Sequence, residues 1–309
     1  MNERLLLELR GIRHATTLPG RPWVVATRSP RRYGARVARL VDPDLGAAAD
    51  ATATYERRGD LDVLSLAQLS CLGADVVVTT RAGGVSSAPY DTLNLGDRVG
   101  DDPDAVAENR RRLAEAMGVE PADLVIARQV HGTGVAVVAR GDTVGDADVR
   151  VTTDASIAIC VLVADCVPVA VLDPVARVLA VAHAGWRGVA SNVVGAALDA
   201  MVREGADPAR CRAALGPCIS AQCYQVGDEV VAALREAGCA SAVAPDGTGR
   251  HLADLAGAVR SQLVAAGVPE RNVDLATSWT DQDASFFSDR GQRPCGRFAL
   301  AARLRDAGS

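Results

Sequence analysis

Lysine is missing from this 309-residue chain, and all 33 of its basic residues are arginine. That excludes a Schiff-base lysine and a Walker-type phosphate loop, which needs its lysine. Arginine is left as the only long cation for an anionic ligand, although a genome rich in arginine codons is cause enough for the bias. Aromatic residues make up 3% of the chain, so any platform for stacking a base is small. The eight cysteines include no CxxC pair, the closest spacing being Cys218 and Cys223 in CISAQC, and no disulfide scaffold is expected. No apolar run is long enough to span a bilayer and no secretory leader is visible, so a reducing cytoplasm is the expected compartment. A formal net charge of -5 gives no broad footprint for nucleic acid or an anionic membrane. Small anionic substrates remain open through a local site.

What is present is enough apolar sequence for a large core, 49% hydrophobic against 23% charged. Residues 1–71 read differently from the rest. Nine arginines stand against Glu3 and Glu8 between Met1 and Arg39, with Pro19, Pro22 and Pro30 scattered among them. No helical or strand period emerges, so this segment is expected to be a disordered extension. Its arginine-rich start also fits a targeting segment or a nucleic-acid arm, but an ordinary tail is preferred. One catalytic domain is expected over 72–309.

Within that domain, Ala74–Arg81 reads as a strand and residues 105–117 as a helix, opened by Asp101-Asp102-Pro103 and ended by Gly118. Leu124–Val130 is expected to be a strand delivering His131 into the turn Gly132-Thr133-Gly134, with another strand over 135–139. Further helices are expected over 189–202, 226–237 and 251–266, and strands at 213–215, 273–276 and 297–304. Strands and helices interleave without a regular βαβ rhythm, which places the chain in the α/β class in its mixed, α+β sense.

The stretch Ala155–Gly188 carries the first hint of chemistry. Two apolar runs meet at Asp173-Pro174, and Cys166 and His183 stand 17 positions apart across that point. A hairpin turning on Pro174-Val175 sets Cys166 opposite His183, and directly opposed residues share a face with Cβ atoms about 4.5–5.5 Å apart. Proline suits type I and II turns better than the primed turns of two-residue hairpins, so a longer loop stays open, and an odd-length one would split the pair between faces. Taken singly, a cysteine or histidine is most often a structural residue. His131, Cys166 and His183, however, all sit at strand ends or turns, in QVHGTG, VADCVP and AHAGWRG, where scaffolds present functional side chains. Three protein ligands with one open position define a catalytic zinc site.

These segments, Gln129-Val-His-Gly132, Ala164-Asp-Cys-Val-Pro-Val169 and Ala182-His-Ala-Gly-Trp-Arg-Gly188, resemble the signatures of the family once called polyphenol oxidase or laccase-domain proteins. That family is also described as zinc-containing purine nucleoside phosphorylases and as peptidoglycan editing factors. Thr79–Ser86, Thr92–Gly96, Gly100–Asp104, Glu108–Arg110, Gly216–Ile219 and Phe286–Ser288 match it in the same order, so the resemblance covers about 72 to 305. It implies that His131, Cys166 and His183 bind the catalytic metal, Zn2+ with copper possible in vitro. It also implies layered mixed sheets flanked by helices, in a hydrolase fold like that of cytotoxic necrotizing factor. The activities implied are phosphorolysis of adenosine, inosine and S-methyl-5'-thioadenosine, and adenosine deamination. Asp289, where relatives usually carry tyrosine, and Thr277, where cysteine is usual, depart from the family's pattern at the expected substrate rim.

Zinc would supply the Lewis acidity that deamination at C6 asks for, though the HxE and PCxxC signature of the usual zinc deaminases is absent. Phosphorolysis needs an anion site, and Arg187, before the expected 189–202 helix, is the first candidate, with Arg81 and Asn94 behind it. Arg187 as a plain solvent-facing turn residue is the alternative. Trp186, Trp279 and Phe286-Phe287 are either stacking surfaces or packing anchors. Two rival functions share the site: a Cys166–His183 hydrolase or amidase acting on peptidoglycan precursors, with Gln129 or Asp165 orienting the histidine, and a binding module with a closed site completed by Cys218. Copper-cluster oxidase chemistry is set aside, since it needs many more imidazoles than four histidines supply.

Overall fold

The computed structural model describes residues 53–275 and 278–306. In chain order its strands begin with β1 (Ala53–Arg58), β2 (Leu61–Leu66), β3 (Ala74–Thr79), β4 (Leu124–Ile126) and β5 (Val135–Val137). They continue with β6 (Val149–Thr152), β7 (Ala158–Val163), β8 (Val167–Asp173), β9 (Val178–Ala184) and β10 (Arg212–Leu215). The last are β11 (Gln225–Val226), β12 (Val243–Pro245), β13 (His251–Ala253), β14 (Val273–Leu275) and β15 (Phe298–Leu304). The helices are α1 (Ala67–Ser70), α2 (Pro103–Ala116), α3 (Trp186–Ala190), α4 (Val193–Arg203), α5 (Asp228–Glu236) and α6 (Leu255–Ala265).

Two six-stranded mixed sheets carry the architecture, in the orders β1-β2-β3-β15-β7-β4 and β14-β10-β8-β9-β6-β5, beside a small sheet β11-β13-β12. The period-two alternation of the strands decides the layers. Phe298, Leu300, Ala302 and Leu304 of β15 meet Ala170 and Leu172 of β8 and Leu179 and Val181 of β9 between the two sheets. The intervening Ala299 and Ala301 turn to the opposite face and pack with Leu113 and Met117 at the end of α2. On the far side, Val167, Val169 and Val171 of β8 and Val178, Ala180 and Ala182 of β9 pack with α4 and α6. The result is the expected layering of mixed sheets flanked by helices.

Asp102 caps α2 by accepting from the Asp104 N–H at 3.0 Å, a contact worth about 0.5–2 kcal/mol, and Pro103 takes the first helical position. Among the described residues no helix is long and apolar enough to cross a membrane.

Several expectations are corrected. The segment 1–71 is not wholly irregular: β1 and β2 pair along their whole length, Ala53 with Leu66 through Arg58 with Leu61, and β2 goes on to pair with β3. Exposed polar positions on β1 hid its pattern, because an edge strand need be apolar on neither face. Ala67–Ser70 of the same segment form α1, while residues 1–52, Ala276 and Thr277 lie outside the described residues. Beyond the short β4 the chain leaves the ladder early, Arg128 making only an isolated bridge with Asp146. The 189–202 helix is two pieces, since Asn192 adopts the left-handed conformation at φ 60° and caps the second through the Gly195 N–H. His251 begins a strand, and the helix after it starts at Leu255 behind the cap Asp254.

The hairpin register also differs from expectation. Pro168, not Cys166, lies opposite His183, and Asp173 pairs with Val178 across a four-residue loop. Asp173 sets that length, because its Oδ1 accepts from the N–H groups of Val175 and Ala176 at 2.8 and 3.0 Å. A slip of two residues preserves the face, so Cys166 and His183 remain on the side that looks into the space between the sheets.

Candidate active site

The apolar sequence from Ala158 to Asp173 looks continuous, yet it serves both sheets. β7 belongs to the first and β8 to the second, and the chain crosses between them at Ala164-Asp165-Cys166. Asp165 bears φ 88° there, a backbone conformation that persists only where the surroundings over-determine it. Its carboxylate provides that constraint, accepting from Thr280 Oγ1 at 2.5 Å, Ser288 Oγ at 2.7 Å and the Arg290 N–H at 2.6 Å. Cys166 is thereby delivered to the mouth of the gap. His131 arrives by an earlier crossing in the same direction, between β4 of the first sheet and β5 of the second, and His183 comes from the end of β9.

The side chain that assembles these pieces is Asp148, fully buried just before β6. Its carboxylate accepts from three successive N–H groups, Val130 at 3.1 Å, His131 at 3.0 Å and Gly132 at 2.8 Å, which holds His131 at φ 60°. The same carboxylate accepts from His183 Nδ1 at 2.8 Å. Burial would raise its pKa, but the His183 bond and the Gly132 and Val130 N–H groups outweigh that and hold the carboxyl below the ordinary range. Sequence reasoning missed Asp148: one acidic residue before a short strand carries no local sign of its distant partners.

With Nδ1 of His183 committed, Nε2 is left for the thiol. The metal-capable atoms of His131, Cys166 and His183 lie within 4.8 Å of one another, and the two rings meet edge-on with centroids 4.7 Å apart. Burial alone would raise the Cys166 thiol, but the charge of His183 and hydrogen bonds from both imidazoles lower it. Burial would likewise lower His183, and the Cys166 thiolate with Asp148 raises it instead. Gly185, the N-cap of α3, makes room: a Cβ there would lie 2.9 Å from His131 Cδ2 and 3.0 Å from Cys166 Sγ. Two imidazoles and a thiolate converging on one point fit a divalent transition metal with an open position.

No fourth histidine, cysteine or carboxylate joins the group among the described residues. Cys218 is fully buried in the helix-side core, with its thiol pushed well above the free value by burial. A cavity of about 460 Å³ opens in front of the three donors.

None of the expected anion residues lines it. Arg187 lies inside the five-residue α3, 59% exposed, with its guanidinium 4.1 Å over the Trp186 ring and 3.8 Å from Glu229. Arg81 is spent on Asp91, Nε donating to its carbonyl at 2.8 Å, and stacks over Phe287. Asn94 is fully buried and fully used, donating to Gly96 O and Asp101 Oδ2 and accepting from the Gly96 and Arg297 N–H groups. Gln129 clamps Leu162 of β7 through two 2.7 Å bonds, so neither it nor Asp165 orients the histidine. The stacking candidates pack elsewhere: Phe286 and Phe287 are buried between the sheets, and Trp186 and Trp279 lie against the helix-side core. Asp289 does reach the cavity rim, where it pairs with Arg297.

Three comparisons bear on what this arrangement is. Residues 75–305 match the family model described as multi-copper polyphenol oxidoreductase laccase. A Streptomyces coelicolor protein named purine nucleoside phosphorylase is 45% identical over 233 residues, which is 74% of this chain and 94% of the relative. Among solved structures, YlmD from Geobacillus stearothermophilus aligns with a TM-score of 0.74 and 33% identity, covering 82% of this chain and 100% of that one. A Bacillus licheniformis hypothetical protein, YfiH, aligns at 0.75 and 29%, covering 83% and 98%.

Proposed function

Because this chain belongs to the multi-copper polyphenol oxidoreductase laccase family, with relatives named purine nucleoside phosphorylase, we propose that it is a purine nucleoside phosphorylase. Its substrates in this reading are adenosine, inosine and S-methyl-5'-thioadenosine, with orthophosphate as co-substrate, and adenosine deamination is a second activity of the same site. The observation that carries the reading is the convergence of His131, Cys166 and His183 at the floor of one cavity. Zn2+ is the metal whose ligand preferences these donors suit, and when bound it supplies Lewis acidity to a substrate oxygen or to water.

The chain's own residues do the rest. Asp148 fixes the tautomer of His183 and the turn of His131, so the donor atoms are in place before a ligand arrives. The cavity wall supplies Ile126, Leu162 and Val163, an aliphatic surface against which a purine loses its water. We place the reaction in a reducing cytoplasm, a reading supported by eight cysteines that are all free.

The test is an assay of purified protein with adenosine, with and without phosphate, reading adenine, ribose 1-phosphate and inosine together. Wild type should form adenine and ribose 1-phosphate only with phosphate, and Cys166→Ala should form neither. A zinc-loaded wild type that yields no product sinks the reading.

One observation favours a second reading, a hydrolase or amidase acting on peptidoglycan precursors. Cys166, His183 and Asp148 form a chain of thiolate, imidazolium and carboxylate, the order a cysteine nucleophile uses. Metal separates the two: a hydrolase of this kind keeps its activity after chelation, and a zinc phosphorylase loses it.

A further inference from the structure

The cavity in front of the three donors is lined by four arginines, Arg98, Arg110, Arg128 and Arg297, against two aspartates, Asp97 and Asp289. This is a local positive excess in a chain whose formal net charge is -5. Three of the guanidiniums are engaged. Arg110 donates through Nε to Leu95 O at 3.0 Å and stands 3.4 Å from Asp97. Arg128 forks onto both carboxylate oxygens of Asp146. Arg297 reaches Asp289 at 3.1 Å and the carbonyls of Cys295 and Gly296 at 3.0 Å.

Both lining carboxylates are thus taken. Arg98 is left over: it is exposed, sits in the loop after Gly96, and makes no hydrogen bond or salt bridge with any described residue, its charge acting only at longer range on Asp146, which Arg128 already holds.

An anion entering this cavity meets one guanidinium that it need not take from a carboxylate. A planar fork with free N–H groups suits two oxygens of a tetrahedral phosphate through charge-assisted bonds. We propose that Arg98 is the phosphate-binding residue of this site, with Arg110 and Arg297 adding to the field around it. The inference rests on the phosphorolysis reading. In the reaction, a hydrogen phosphate oxygen forms a bond to C1′ of the ribose while the C1′–N9 bond breaks. The electron pair leaves with the purine, and the hydrogen phosphate proton ends on it, so the ribose 1-phosphate remains a dianion held at Arg98.

The shared chemistry is a phosphate group, either free or esterified at a nucleoside 5' position, and the experiment separates these sources. Zinc-loaded wild type, Arg98→Gln and Arg187→Gln are titrated with orthophosphate and with adenosine 5'-monophosphate by calorimetry, and their KM values for phosphate and inosine are measured. Arg98→Gln should weaken orthophosphate binding and raise its KM about 10- to 100-fold, with the inosine KM within about twofold of wild type. Arg187→Gln should match wild type. An unchanged phosphate KM in an active Arg98→Gln enzyme overturns the assignment, as does Arg98-dependent binding of the nucleotide without binding of free phosphate. Arg98-dependent orthophosphate binding by a wild type that forms no ribose 1-phosphate supports the subsite and defeats the phosphorolysis reading instead.

Discussion

Asp148 and His183 are joined twice, by the carboxylate accepting from Nδ1 at 2.8 Å and by the Asp148 carbonyl accepting from the His183 backbone N–H at 2.9 Å. The ring therefore has neither a free tautomer nor a free rotamer, and Nε2 is the nitrogen that meets Cys166. Because the same carboxylate gathers the Val130–Gly132 turn, one side chain positions two of the three donors.

Asp148→Asn keeps the volume and offers one acceptor oxygen where two now serve four donors. Metal affinity should fall about 10- to 100-fold, the usual effect of removing a carboxylate behind a ligating histidine. Competition with a chromophoric chelator measures this directly. A change below twofold would mean that the turn and ring hold themselves.

Gly185→Ala tests the space instead of the charge. Gly185 has φ -78°, which alanine adopts without strain, so the backbone should tolerate the change. The new methyl would lie about 3 Å from His131 and Cys166 and push both off the common point. The expected result is a protein that keeps most of its thermal stability and holds less than one zinc, read by elemental analysis beside a melting curve. Full zinc occupancy would refute it.

The turn at Asp173 predicts an acid response. Burial acts to raise this carboxyl, but the N–H of Asp207, the Arg210 side chain and the N–H groups of Ala176 and Val175 together lower it. A depressed folded value means that the contribution is fully present above the unfolded value of 3.8 and is lost as pH falls through the folded one. Between about pH 5 and pH 2, wild type should therefore lose more stability in urea titrations than Asp173→Asn does, a range that runs from above the ordinary carboxyl value down through the lowered folded one. Parallel losses in the two proteins would count against this account.

Alkylation should sort the eight cysteines. Cys71 and Cys223 are exposed, while Cys160 is buried with its thiol pushed up to about 12 by burial. In metal-free protein at pH 7, iodoacetamide should label Cys166 fastest, because its thiol is lowered, and Cys160 not at all. Zinc should protect Cys166 and leave Cys71 unchanged in peptide mass maps. Labelling of Cys166 at equal rates with and without zinc would remove it from the ligand set.

That His131, Cys166 and His183 come together was legible because each stands at a strand end or turn in a recognisable segment, and parity kept Cys166 and His183 on one face even though the register was two residues out. The error came from Asp173, whose side chain lengthens the loop through bonds that strand periodicity does not encode. Arg187 looked suitable because a sequence shows position relative to a helix and not where a long side chain rests, here on Trp186. Asp148 and Arg98 were invisible for a related reason. The value of each depends on what lies across the fold, four donors for one and no hydrogen-bonded carboxylate for the other.

The two crossings that run from the first sheet to the second end at the same point, His131 between β4 and β5 and Cys166 between β7 and β8. An ion held there is a cross-brace between two layers that otherwise meet largely through apolar side chains. Binding it couples their sliding to its own affinity, so demetallation should loosen the layers against each other before it frays either sheet. Hydrogen exchange would register that as early loss of protection at Val130–Gly132 and Ala164–Cys166, while the paired centres of β8 and β9 stay closed.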